Sequence, residues 1–163
     1  MENEINEPLY FSADTLDALT DFESQYIKGV IYTYWVNRVD VHNPIKLLQY
    51  ITFTFIDDTQ IMLAANDDLN AIEISAVKIA EVQQELRQQF NESILLLSTD
   101  VTKEANWQSA ITYPVAQVIF ESNGAGKFYS DFIVIDFSLH QVNINISDMG
   151  LQINFENQNT LNN

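Results

Sequence analysis

The chain contains no cysteine. Disulfide bonds, zinc–thiolate sites, iron–sulfur clusters and thiol nucleophiles are therefore excluded. This fits a reducing compartment, and a cytoplasmic location is the expectation. Glycine and proline are scarce, at four and three in 163 residues, which argues against a low-complexity or linker-rich chain. Cations are scarcer than anions: seven Lys and Arg stand against 23 Asp and Glu, a net charge of −16. Such a surface repels phosphate backbones and anionic headgroups, so neither nucleic acid nor membrane is an expected partner. It attracts basic proteins, cationic ligands and divalent metals. Long apolar runs are missing too. The longest, around Ile94–Leu97, suits one buried strand and falls far short of a membrane helix. The acidic start Met1-Glu2-Asn3-Glu4 does not read as a secretory signal.

Core-forming residues are plentiful. Apolar residues make up 47% of the chain, with ten Phe, seven Tyr and two Trp, as in an ordinary globular protein. The length is that of one domain, 1–163, with loose tails expected at 1–9 and 157–163. Ser12 or Asp14 can cap a short helix over Ala13–Glu23, in which Leu16, Leu19 and Phe22 recur every third residue. Period-two alternation and β-branched or aromatic enrichment then predict strands at Tyr26–Val36, Leu47–Ile56, Gln60–Ala65 and Ala71–Ser75, separated by turns at Asp57-Asp58 and Asn66–Asn70.

The strongest helical signal follows. Ile79, Val82, Leu86 and Phe90 form one apolar stripe over Val77–Phe90, and this stripe is expected to be core. Asn91 suits the left-handed residue that ends such a helix. Further strands are predicted at Ser93–Ser98, Tyr113–Glu121, Lys127–Phe137, His140–Ile146 and Leu151–Phe155, with a polar connection over Thr99–Ala110 holding one helical turn. The expected fold is α+β: two antiparallel β-meanders, or one large curved antiparallel sheet, packed on one main helix near residues 77–90, with a short N-terminal helix. A shift of 81 places Gln60 on Gln141, Asp67 on Asp148 and Ile72 on Ile153. An internal duplication of the strand groups 27–75 and 111–156 would produce that register.

Motifs that carry chemistry are weak. Gly124-Ala125-Gly126-Lys127 looks like the end of a phosphate loop, but Glu121 stands where the first Gly belongs and Phe128 follows the Lys. A hairpin turn explains it better. Asp57-Asp58 and Asp67-Asp68 are better read as turn residues than as calcium ligands, since Asp and Asn bond their own backbone in turns. Asp136 and His140 flank a short turn, and with Asp131 they are the candidates for acid–base or metal chemistry. Two histidines in all preclude a three-His metal site. Tyr34 and Trp107 are the aromatic contact candidates, Trp107 because its neighbours Lys103, Glu104, Asn106 and Gln108 are polar.

The reading that results is a non-catalytic protein-binding module of inhibitor or immunity type. It engages a basic partner through an acidic face, with Trp107, Tyr34, Asp67 and Asp68 as contact residues and with no cofactor or metal. A homodimer through a sheet edge is compatible with it. The alternatives are a metal-dependent enzyme using Asp131, Asp136 and His140, and a small-ligand carrier with an aromatic-lined cavity.

Overall fold

The computed structural model of the protein describes residues 7–157. Of the loose tails expected at 1–9 and 157–163, residues 1–6 and 158–163 lie outside that range. Among the described residues there are three helices and nine strands: α1 (Ala13–Thr20), β1 (Ile27–Asn37), β2 (Ile45–Phe55), β3 (Gln60–Ala65), β4 (Ile72–Ser75), α2 (Ile79–Phe90), β5 (Ile94–Asp100), α3 (Ala105–Ile111), β6 (Gln117–Ser122), β7 (Phe128–Asp136), β8 (His140–Ser147) and β9 (Gly150–Asn157). The fold is α+β.

All nine strands belong to one mixed sheet. β1 is flanked by β2 and β5, β2 continues to β3, and β3 to β4, every pair antiparallel. β6, β7, β8 and β9 pair antiparallel in chain order. One parallel bridge, Leu48 to Gly150, joins the two groups. The sheet curls until β4 comes against β7. The segment before α1 is tied down as well: Ser130 N–H donates to Leu9 O at 3.0 Å, and Phe11 N–H to Phe128 O at 2.9 Å.

The core lies on the inner face of this curl. Val30, Ile51, Phe53, Leu63, Ile133, Ile135, Val142 and Ile144 are almost fully buried there, with Leu19 and Phe22 from α1 and the turn after it. α1 is capped as expected, by Ser12 Oγ accepting from Thr15 N–H. Trp107 enters from α3. Its ring meets Phe155, Phe53 and Tyr32 edge-on at centroid distances of 5.0, 5.8 and 6.4 Å. Each such contact adds ~0.5–1.5 kcal/mol beyond burial.

The amphipathic helix sits elsewhere than its pattern suggests. No residue of α2 is buried; Ile79, Val82 and Leu86 are half-covered, and Phe90 is exposed. α2 lies against β5, where Gln83 Oε1 accepts the N–H of Leu96 at 2.6 Å. That bond satisfies a donor on a sheet edge. The helix is a flank of the sheet, and strands alone supply most of the core. Asn91 does end it, at a positive φ of 55°.

Two bulges in the β1–β2 pair redirect side chains. Thr33 pairs with Tyr50 but Tyr34 with Leu48, leaving Gln49 extra. Inward positions therefore shift from Ile51, Phe53 and Phe55 to Leu48, and Gln49 Nε2 donates to Ala65 O at 2.6 Å. The second bulge extrudes Lys28, which pairs with Asp58.

Candidate functional site

Several turn carboxylates have structural duties. Asp57 Oδ1 accepts from the N–H and the hydroxyl of Thr59, and Asp100 Oδ1 does the same with Thr102. Asp40 accepts from His42 N–H and Asn43 Nδ2. These hydrogen bonds hold the carboxyls of Asp40, Asp57 and Asp100 below the usual carboxylate range. For these residues the backbone-bonding explanation holds.

Asp67 and Asp68 differ. Their turn is built by Asn66, whose Oδ1 accepts from Asn70 N–H at 2.8 Å and Ala71 N–H at 2.9 Å. Leu69 takes the positive φ, 54°. The two aspartates are left exposed, with no hydrogen bond or ion pair among the described residues. They line a cleft of about 340 Å³ together with Gln49, Tyr50, Ala64 and Glu73.

The sheet explains this cleft. Tyr50 pairs with Ala64, and Ala64 with Glu73, in one row across β2, β3 and β4. The small Ala64 makes the floor, while Tyr50 and Glu73 form walls about 10 Å apart, two strand spacings. Burial, then the charge of Asp67, pushes the Tyr50 phenol above its ordinary value of 10.0. No Lys or Arg lines the cleft. Among the described residues the only ion pairs within 4.0 Å join Asp58 to Lys28 and Glu81 to Lys78. Tyr50 and Glu73 were not singled out by sequence. Their signal was there, in the outward positions of alternating strands, but the pairing that aligns them was not.

Tyr34 lies in a second cleft, of about 450 Å³, lined by Tyr32, Lys46, Leu48, Glu104, Met149, Leu151 and Phe155. Lys46 Nζ stands 4.0 Å from the Tyr34 ring centroid. Trp107 is 0% exposed. The polar neighbours that suggest a surface position, just before α3 and on it, are exposed, while Trp107 and Ala110, three apart, turn inward. It supports the second cleft from beneath by donating Nε1–H to the Tyr32 hydroxyl.

Asp131, Asp136 and His140 are not gathered into a site. Asp131 is exposed and Asp136 buried, and five residues of strand put them about 17 Å apart with side chains on opposite faces. The Asp136 carboxylate accepts from Gln117 Nε2 at 3.1 Å and Ser138 N–H at 2.8 Å, which stabilises the turn to β8. Among the described residues no three His, Asp or Glu side chains are placed to hold a metal ion, and no helix is long and apolar enough to cross a membrane. The Gly124–Lys127 segment is a hairpin turn organised by Asn123 Oδ1, which accepts from the N–H groups of Ala125 and Lys127.

No family model, no curated protein and no solved structure matches this chain.

Proposed function

We propose that this protein is a non-catalytic binding module that engages a basic partner, and that the Tyr50–Asp67–Asp68–Glu73 cleft receives a lysine or arginine side chain from it. The observation that carries this reading is the set of three carboxylates facing one cleft without a cation. A desolvated ammonium or guanidinium there gains charge-assisted hydrogen bonds and the face of an aromatic ring. The net charge of −16 would steer such a partner and raise its association rate, an effect that added salt weakens. The turn bonds of Asn66 hold the backbone under Asp67 and Asp68 in place, so little order has to be gained on binding.

The test is capture from a lysate of the source cell, with the wild-type chain and with the triple variant Asp67→Asn, Asp68→Asn, Glu73→Gln side by side. The expected result is one basic protein held by the wild type, released by salt and reduced at least tenfold by the triple variant. Neutralising Asp14 and Asp17 on the exposed face of α1 leaves capture unchanged. Equal retention by wild type and triple variant would refute the assignment.

A further inference from the structure

The second cleft has different chemistry. It opens at the end of the sheet's inner face, where β1 and β2 run on past β9. Its floor is Tyr32, Leu48 and Leu151, all at most 8% exposed. Tyr34, Phe155 and the exposed Met149 make the walls.

One group on the floor keeps a proton to donate. The Tyr32 hydroxyl accepts the indole N–H of Trp107, but its own O–H donates to nothing among the described residues. The bond from Trp107 occupies one side of the oxygen and leaves the proton to turn toward the cleft. Burial also pushes this phenol up to about 12, so it remains a donor at any physiological pH.

The rim selects charge. Lys46 stands on one side, over Tyr34. Glu104 also lines the cleft, close enough for its charge to raise both tyrosines after burial has done so. One cation and one anion cancel, so the cleft favours neither ion. The rest of the surface, at −16 overall, opposes an anionic ligand.

We infer that the Tyr32–Tyr34 cleft binds a small, uncharged, largely apolar molecule through one acceptor oxygen that takes the Tyr32 proton. The molecule's body lies against Tyr34, Leu48, Leu151 and Phe155, with Met149 at the mouth. This site is separate from the acidic cleft and stands or falls independently of it.

The experiment is an NMR titration of the full chain with acetophenone and, as a shape-matched hydrocarbon, ethylbenzene. The expected result is saturable binding with shifts confined to the cleft and to Trp107 Nε1–H, the ketone binding about three- to tenfold tighter, as one hydrogen bond dictates. Met149→Arg closes the mouth and abolishes binding of both probes. Tyr32→Phe brings the two affinities together. Should that variant fail to fold because Trp107 loses its acceptor, the comparison of probes and Met149→Arg decide alone. Absence of saturable binding, equal affinities in the wild type, or binding untouched by Met149→Arg would overturn the inference. So would tighter binding of a capped leucine amide than of the ketone, which would assign the cleft to a segment of a partner protein.

Discussion

A Cβ placed on Gly150 would lie 2.3 Å from the carbonyl oxygen of Leu48. Among the described residues this is the one bridge that joins the two halves of the sheet. Gly150 also holds a φ of +85°, a conformation that side chains resist. Both effects demand glycine here. Gly150→Ala is expected to cost at least about 2 kcal/mol in chemical denaturation. Gly124 has a similar φ of +80° with nothing within 4 Å, so Gly124→Ala measures the backbone strain alone, about 1 kcal/mol. The difference between the two variants is the contribution of close packing at the junction.

Tyr32 predicts alkaline behaviour. Its folded value of about 12 lies above the ordinary 10.0. The unfolded chain therefore loses this proton first. The stability linked to Tyr32 is fully present below pH 10 and is lost as pH rises through the folded value. Near-ultraviolet tyrosinate absorbance should show one phenol titrating only near pH 12 or on unfolding, and Tyr32→Phe should remove that component.

The position of α2 predicts a contrast between apolar truncations. Ile144 is 0% exposed on the inner face, and its replacement by Ala should cost ~2–5 kcal/mol. Leu86, half-covered on α2, should cost about 1 kcal/mol when replaced by Ala, from partial burial alone. Equal losses in denaturant titrations would put α2 back in the core.

Much of the fold is written in local pattern. Alternation in segments such as His140–Ser147 and the short apolar run of Gln60–Ala65 specify strands, and Ser12 marks the start of α1. What local pattern omits is pairing. The extra residue at Gln49 reverses which side chains of β2 face inward, and no residue type announces it. A helix stripe states that one face is apolar but not how completely a sheet will cover it, so α2 and α3 exchange expected roles: the weaker pattern carries buried Trp107, while the stronger remains at the periphery. For the candidate site, Asp67 and Asp68 were visible as turn residues. That Asn66 would take over the turn's hydrogen bonds, releasing both carboxylates, depends on backbone geometry. Tyr50 and Glu73 join them only through cross-strand register.

The most direct test of the acidic cleft is to titrate the labelled protein with capped tetralysine and follow amide and Tyr50 ring resonances by NMR. The account predicts the largest shifts at Tyr50, Asp67, Asp68 and Glu73. It also predicts loss of those shifts in the triple variant Asp67→Asn, Asp68→Asn, Glu73→Gln, and weakening as salt is added. Shifts spread evenly over all acidic residues, or unchanged in the triple variant, would contradict it.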